Sequence, residues 1–245
     1  MQQTTQVILI SEQLLKYWYP DQQKNGTLLF YGWVREHVNS RQTMLNVGAG
    51  PASKDPLKTF RGEVARVVGV DVDPIVLSND ELDEAHVTDG STLPFDDHSF
   101  DIAVSDYVFE HVRSPEAFLN EIRRVLRPEG SLFFRTPNKF HYVSLLGRCT
   151  PHWFHALVAN RVRGLPEDAH EPYPTFYRLN SAHDIRRLAM KVHFSGVDLR
   201  MVECEPSYLK FSAIPFLAGV LYERTVNYSN HLSGIRANIF GRLLR

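Results

Sequence analysis

The chain has 245 residues, 43% of them hydrophobic, which is enough for one sizeable α/β domain with insertions. Its 27 basic and 28 acidic residues give a net charge of −1, which argues against a general nucleic-acid binder. Cys149 and Cys204 lie far apart and show neither a disulfide framework nor a metal-binding pattern, as expected in a reducing compartment. No basic region precedes the N-terminal apolar run, and no apolar run reaches ~20 residues. We therefore predict a cytoplasmic protein without a signal peptide.

Residues 1–42 are rich in aromatic side chains, in clusters around residues 14–19 and 28–34. This pattern predicts one or two helices that pack on a sheet and cover the mouth of a ligand site. We treat residues 1–42 as an N-terminal helical extension and residues 43–245 as the main domain.

A buried strand followed by a glycine turn is predicted at residues 43–53. Gly48 and Gly50 allow the backbone to turn sharply and to approach a ligand closely. A second apolar strand, residues 67–70, ends at Asp71, where a carboxylate can bind ribose hydroxyls. Between the two strands, residues 51–62 predict a short helix whose N-terminus would attract a ligand carboxylate. Together these features indicate a nucleotide-binding crevice.

The ligand of this crevice is not settled by the glycine turn alone. The dinucleotide fingerprint is incomplete, because Ser53 stands where its third glycine is expected. A P-loop is excluded, because no lysine-serine pair follows the turn.

The next two strands end in polar residues as well. Residues 85–90 predict a short third strand that ends in Asp89 and Gly90, and residues 100–104 predict a buried fourth strand followed by Ser105 and Asp106. In an open parallel sheet, ligands bind beyond the carboxyl ends of the strands. These side chains are therefore expected beside the glycine turn.

Three motifs resemble the type 11 branch of the class I S-adenosylmethionine-dependent methyltransferases. The glycine turn is similar to motif I of that family, with Asn46 in place of the usual acid and Ala52 in place of the third glycine. Residues 93–112, with their LPF, SFD and EH groups, and residues 124–130 resemble two further blocks of the family. The resemblance covers residues 40–138 and implies a Rossmann-like, seven-stranded, mostly parallel sheet with helices on both faces and an antiparallel last strand.

The resemblance also implies S-adenosylmethionine as the cofactor. Asp89 would bind the adenine amino group, and a tyrosine of the extension often reaches the cofactor in this family, which here means Tyr17, Tyr19 or Tyr31. The residues expected at the cofactor are Asn46, Gly48, Ala49, Gly50, Asp71, Val72, Asp89, Gly90, Ser91, Ser105, Asp106 and Tyr107.

The candidates for proton removal are histidines and one tyrosine. In related sequences, a histidine at the position of His111 lies between cofactor and acceptor, and an imidazole titrates near neutrality. The alternative is that His111 only holds the start of a helix. His141 and Tyr142, which follow the predicted fifth strand at residues 131–136, are the other candidates.

Some 40 residues after the fifth strand show no sheet pattern. A loop of this length is usually a lid or a binding segment, and we assign residues 137–178 to acceptor binding. Residues 130–166 contain five cationic residues and no acid, which favours an anionic acceptor, although a solvated face is an equally good explanation. We predict no metal site, because methyl transfer does not need one and the spacing of His141, His152, His155 and His170 is generic.

The remaining predicted elements are a helix starting at Pro115, a helix capped by Ser181, a strand at residues 197–204 and a helix at residues 214–226. The final residues, 235–244, alternate with period two, which predicts an antiparallel strand beside the fifth. A basic amphipathic tail in contact with a membrane surface is the alternative.

The function predicted is methyl transfer from S-adenosylmethionine to a small-molecule or glycan- or lipid-linked acceptor, with oxygen the favoured acceptor atom. Two alternatives are kept. One is an NAD(P)-dependent oxidoreductase on a related fold, and the other is a non-catalytic S-adenosylmethionine-binding scaffold. Contact of the basic lid or C-terminus with a membrane surface is a further hypothesis, and the oligomeric state is not predicted.

Overall fold

A computed structural model describes residues 13–21, 23–149, 173–206, 209 and 212–245. Most of the predicted lid, with His152, His155 and His170, lies outside the described residues. The chain divides into two compact units. The larger unit comprises residues 30–137, 174–200 and 239–245, and the smaller unit lies within residues 1–29, 138–173 and 201–238.

Seven strands form one sheet in the order β3-β2-β1-β4-β5-β7-β6, mostly parallel with the last strand antiparallel, as predicted. The strands are β1 (Thr43–Val47), β2 (Arg66–Asp71), β3 (Glu84–Val87), β4 (Phe100–Asp106), β5 (Leu126–Pro137), β6 (Gly196–Val202) and β7 (Asn238–Leu244). The helices are α1 (Gly26–Arg35), α2 (Pro115–Val125), α3 (Tyr142–Cys149), α4 (Ala182–Lys191) and α5 (Ala213–Tyr228). Short 3₁₀ segments cover Pro74–Ser78, Phe109–His111 and Asn230–Ile235.

The register of the central strands brings their polar ends to one edge of the sheet. Val47, the last residue of β1, lies opposite Val70 in β2 and opposite Ser105 in β4, and all three strands are parallel. The residues that follow, Gly48 and Asp71 among them, therefore leave the sheet side by side. The edge at which the sequence predicted a crevice is thus formed by strand pairing alone.

Aromatic residues supply much of the core of the larger unit. Phe30 of α1 lies 5.4 Å from Phe240 of β7 between ring centroids, and Phe109 stacks on Phe134 at 4.3 Å. Each of these four side chains is at most 2% exposed. Burial of such rings contributes on the order of 2–3 kcal/mol apiece relative to exposure. This packing holds α1 against the sheet and places its remaining side chains.

The helix predicted over residues 51–62 is absent, and this segment forms turns instead. Pro51 and Pro56 lie within it, and a proline disfavours helical conformation in the residue before it, here Asp55. The guanidinium of Arg35 holds the segment by donating to the carbonyls of Leu57 and Thr59. The predicted helix N-terminus for a ligand carboxylate was therefore wrong.

Local signals predicted the start of other helices well. Pro115 opens α2, and the Ser181 hydroxyl accepts the backbone N–H of Asp184 at 3.2 Å to cap α4. In the predicted lid, by contrast, Tyr142–Cys149 forms α3, which the sequence pattern had not indicated.

The smaller unit has its own apolar cluster, in which Tyr19 packs on Phe216 and Val220 of α5. The hydroxyl of Tyr19 donates to the carboxylate of Glu223, which is 1% exposed. None of the helices in the described part of the chain combines the length and apolarity that a bilayer crossing requires.

Gly241 in β7 lies so close to the ring of Phe134 in β5 that a Cβ atom would overlap the ring. We predict that Gly241→Ala lowers the free energy of unfolding by roughly 1–3 kcal/mol through overpacking. Gly32→Ala is the matched control, because nothing lies within 4 Å of a Cβ there and the helix favours alanine. Urea unfolding of both variants measures the difference. Equal stability of the two variants would contradict the packing of β7 against β5.

Candidate functional site

The glycine turn after β1 has the tight geometry that the sequence predicted. Gly48 and Gly50 have φ values of +76° and +56°, in the left-handed region that favours glycine. The N–H groups of Gly48 and Ala49 both donate to the carbonyl of Val70, at 2.8 and 3.1 Å. A Cβ at Gly48 would overlap the side chain of Val108, which follows β4. The turn is therefore held against both neighbouring strands.

The carboxylate of Asp71 shapes this turn. Its Oδ2 accepts the N–H of Gly50 at 2.8 Å, and its Oδ1 accepts the N–H of Asp73 at 2.9 Å. Carboxylate oxygens have further lone pairs, so these bonds leave acceptor capacity for ligand hydroxyls. Val72, the next residue, is 48% exposed at the end of β2.

The loop after β3 lies beside this strand end. Gly90 has φ +76°, and a Cβ there would lie 3.3 Å from Val72 Cγ1. Asp89 is exposed and its Oδ1 accepts the backbone N–H groups of Ser91 and Thr92 at 2.8 and 3.1 Å. Hydrogen bonds from Ser91 lower the pKa of Asp89, so its carboxylate is ionised near neutrality.

One cavity of the larger unit lies against the glycine turn. Asn46 lines it from β1, Gly48 and Ala49 from the turn that follows, Asp106 from β4 and Tyr31 from α1. Its volume of about 160 Å³ is smaller than that of a typical ligand pocket, ~300–1,000 Å³. Only part of a nucleoside ligand would therefore fit inside it. Asp71, Asp89 and Ser91 do not line it and lie along the open edge instead.

Asp106 is held by a strong ion pair with Arg135 from the adjacent strand. Arg135 Nε and Nη2 bond the two carboxylate oxygens at 2.6 Å each, and Asp106 lies opposite Arg135 in the register of β4 and β5. The guanidinium is also within 6 Å of the rings of Phe30, Tyr31 and Tyr107. Bidentate pairing fixes the orientation of the carboxylate.

Tyr31 completes this group, and it is the tyrosine of the N-terminal region that lines the cavity. Its hydroxyl donates to Asp106 Oδ2 at 3.1 Å, and burial, followed by the charge of Asp106, raises its pKa. Tyr17 is 79% exposed, and Tyr19 belongs to the smaller unit.

Two other residues expected at the cofactor, Ser105 and Tyr107, differ in backbone conformation and burial. Tyr107 adopts φ +57°, which is uncommon for a non-glycine residue, and its N–H donates to the carbonyl of Arg135 at 2.8 Å. Ser105 is fully buried and does not line the cavity. Its side chain thus lies below the edge rather than at it.

A buried polar network lies next to His111. Thr136 Oγ1 donates to Glu110 Oε2 at 3.2 Å and accepts from Asn180 Nδ2 at 2.6 Å. Thr136 and Asn180 are fully buried, and Glu110 is 7% exposed. Burial raises the pKa of Glu110 to about 7.

His111 itself is anchored through one ring nitrogen. Its Nδ1 lies 3.1 Å from the carbonyl oxygen of Pro174, which can only accept, so Nδ1 carries the proton in the neutral ring. Nε2 then carries the lone pair, 3.9 Å from Glu110 Oε1. This arrangement gives His111 the tautomer that a general base needs.

The other two candidates for proton removal belong to the smaller unit. The rings of His141 and Tyr142 are 4.2 Å apart, and both lie within 5.5 Å of the ring of Tyr222. Burial lowers the pKa of His141 to about 4, and its Nε2 lies 3.7 Å from Glu203 Oε2. The structure thus gives His141 a neutral, buried imidazole.

Sequence reasoning did not assign Arg135 or Glu110 to the site. Glu110 was visible in the EH group, but its burial depends on Thr136 and on Asn180, 70 residues further along the chain. The pairing of Arg135 with Asp106 would have been accessible from strand register, since the two residues lie opposite each other near the ends of neighbouring parallel strands.

Part of this chain is similar to known methyltransferases. Residues 45–134 match the family described as "Methyltransferase domain". A Mycolicibacterium smegmatis protein named probable S-adenosylmethionine-dependent methyltransferase is 31% identical over 134 residues, 49% of this chain and 50% of that protein. The curated relatives are matched over 30–50% of their own length.

Solved structures share the fold at low sequence identity. A complex of the Haloferax volcanii Trm112 methyltransferase activator with a methyltransferase matches with a TM-score of 0.56 and 18% identity, covering 94% of this chain and 96% of that one. Haemonchus contortus phosphoethanolamine N-methyltransferase 2, in complex with phosphomonomethylethanolamine and S-adenosylhomocysteine, matches with a TM-score of 0.56 and 16% identity, covering 94% of this chain and 56% of that one.

The raised pKa of Glu110 predicts a pH-dependent stability. The proton is bound more tightly in the folded chain, where the pKa is about 7, than in the unfolded chain, where it is 4.5. This contribution is complete below pH 4.5 and is lost as the pH rises towards 7. Relative to Glu110→Gln, the wild type should lose on the order of 2–3 kcal/mol of unfolding free energy over that range.

Denaturant unfolding at a series of pH values measures this difference. Because Glu203, whose pKa burial also raises to about 7, is present in both proteins, its contribution cancels. A difference that does not vary with pH would show that Glu110 is not a buried titrating group.

Proposed function

We propose that this chain, whose residues 45–134 form a class I S-adenosylmethionine-dependent methyltransferase domain of type 11, transfers a methyl group to a small molecule. The observation that carries the proposal is the glycine turn after β1, which lies beside the ends of β2 and β4 and borders a polar cavity. The acceptor atom we favour is an oxygen. The cytoplasmic location stays a prediction from the sequence.

The residues at this edge fit the cofactor. Gly48 lines the cavity, is partly exposed and has no side chain, so a ligand can approach its backbone closely. Asp71 would accept the ribose hydroxyls, since its carboxylate keeps acceptor capacity after bonding Gly50 and Asp73. The ionised Asp89 would accept from the adenine amino group, beside Gly90 and Val72.

The cofactor also carries positive charge, and the carboxylate proposed to compensate it comes from β4 rather than from β1. Asn46 is neutral where the family has an acid, but Asp106 contributes a carboxylate to the same cavity. Arg135 and Tyr31 orient this carboxylate through three hydrogen bonds. We infer that Asp106 takes over the electrostatic role of the missing acid, at a strength moderated by its ion pair.

When bound, S-adenosylmethionine supplies a methyl group that its sulfonium already activates. The chain therefore has to align the acceptor, exclude water and, for a hydroxyl acceptor, remove one proton. His111 suits the last task, because the carbonyl of Pro174 fixes the proton on Nδ1 and leaves the lone pair on Nε2. Glu110, 3.9 Å away, would stabilise the imidazolium that forms.

The rival classes make different predictions for ligand binding and turnover. A nicotinamide-dependent enzyme would bind NADH rather than S-adenosylhomocysteine, the demethylated cofactor product. A non-catalytic scaffold would bind the product but transfer no methyl group.

We predict that S-adenosylhomocysteine binds the wild type in a calorimeter, that NADH does not, and that Gly48→Ala abolishes the binding heat. A Cβ at Gly48 would overlap Val108 and displace the turn. Gly62→Ala is the control, since Gly62 has a similar φ of +85° with nothing within 4 Å of a Cβ. Binding of NADH alone, or equal product binding by both variants, would overturn the proposal.

For proton removal, we predict that His111→Gln slows methyl transfer roughly 100-fold or more, the usual contribution of a general base. The assay follows labelled methyl from S-adenosylmethionine into acceptors of a cell extract, with product affinity measured in parallel. His183→Gln, an exposed substitution on α4, should leave the rate unchanged. Full activity of the His111 variant at unchanged product affinity would show that His111 does not remove the proton.

A further inference from the structure

A second cavity of the larger unit, of about 460 Å³, lies at the start of α2, away from the glycine turn. Two arginines line it, Arg113 just before the helix and Arg178 just before α4. Ser114 and Asn120 add polar side chains, and the Ser114 hydroxyl makes no capping bond to α2. These exposed side chains thus offer several hydrogen-bond donors on one shallow surface.

Both guanidinium groups contact the same aromatic ring. The Cζ atoms of Arg113 and Arg178 lie 5.4 and 5.6 Å from the centroid of Phe176, within the range of cation–π contact. Arg178 Nη1 also donates to the carbonyl of Arg113 at 2.7 Å. These contacts place the two guanidinium carbons within about 11 Å of each other, although like charges repel.

No carboxylate compensates this pair within the described part of the chain. Neither Arg113 nor Arg178 forms an ion pair there, and the one acid that lines the cavity, Glu116, is paired with Lys191. By contrast, Arg35, Arg124, Arg127 and Arg135 of the same unit each bond a carboxylate. Among the residues that the structure describes, the charge of these two guanidinium groups is therefore uncompensated.

The same chain segment connects this cavity to His111. Residues 174–178 run alongside residues 110–113: the carbonyl of Pro174 accepts from His111, and the N–H of Phe176 donates to the carbonyl of Glu110 at 2.7 Å. Arg113 is only two residues from His111, which limits the separation of their Cα atoms to about 7 Å. The backbone that carries Arg113 therefore lies close to the residue proposed as the base.

We propose that Arg113 and Arg178 bind a phosphate monoester group of the methyl acceptor. A phosphate monoester carries a charge of about −1.5 to −2 near neutrality, which matches two guanidinium groups better than a carboxylate does. Its oxygens also accept paired N–H bonds from the guanidinium fork. The proposal rests on the proposed methyl transfer and adds the chemical class of the acceptor.

Chemical footprinting of the full chain tests the site without knowledge of the acceptor. Phenylglyoxal modifies accessible arginines, and mass spectrometry gives the rate at each one. Inorganic phosphate at ten times its dissociation constant should slow modification of Arg113 and Arg178 roughly tenfold, because only the unoccupied fraction reacts. Acetate at the same ionic strength should not protect them, and Arg186, exposed on α4, should react equally in both salts.

A second measurement uses the acceptor itself. Labelled methyl transfer into a cell extract should be lost after the extract is treated with alkaline phosphatase, and kept after treatment with the heat-inactivated phosphatase. Equal protection by acetate, equal protection of Arg186, or transfer that survives dephosphorylation would each overturn the phosphate site. Binding of S-adenosylhomocysteine is measured on the same samples, so that failure of the phosphate site is distinguishable from failure of the proposed function.

Discussion

The close approach of Gly48 to Val108 is the constraint on which the ligand edge depends. It joins the turn after β1 to the loop after β4 with no space for a side chain between them. Parallel register brings these strand ends level, and the carbonyl of Val70 in β2 then holds the turn from the other side. The ligand edge is therefore shaped by backbone placement, and side chains only complete it.

The negative charge that lines the cavity comes from a different strand than the sequence motif suggested. Asn46 removes a negative charge from the end of β1, whereas Asp106 places one at the end of β4, lining the same cavity. Arg135 partly neutralises that charge, and both members of the pair are mostly buried, so each depends on the other for a partner. Loss of Arg135 would leave Asp106 poorly hydrated and without its ion pair, held by the hydroxyl of Tyr31. The ion pair therefore serves orientation as much as charge.

The parts of the fold that local sequence specifies could be predicted, and those that depend on distant contacts could not. An unbroken apolar run at residues 67–70 indicated β2, because a strand covered on both faces needs one, and largely apolar runs followed by polar residues or glycine indicated β1 and β4. The turns of residues 51–62 depend instead on Arg35, which donates to carbonyls more than 20 residues away. Glu110 is likewise recognisable as a buried acid only when Asn180 is brought beside Thr136.

The network around Glu110 also links the proposed base to the proposed phosphate site. Its backbone carbonyl accepts the N–H groups of Phe176 and Tyr177, while its carboxylate lies beside His111. The ring of Phe176 in turn contacts the guanidinium groups of the two arginines of the second cavity. A displacement of residues 174–178 would therefore break the hydrogen bond between His111 Nδ1 and Pro174 and also separate the two guanidinium groups. The proposed phosphate site and the orientation of the proposed base thus depend on the same short segment, residues 174–178.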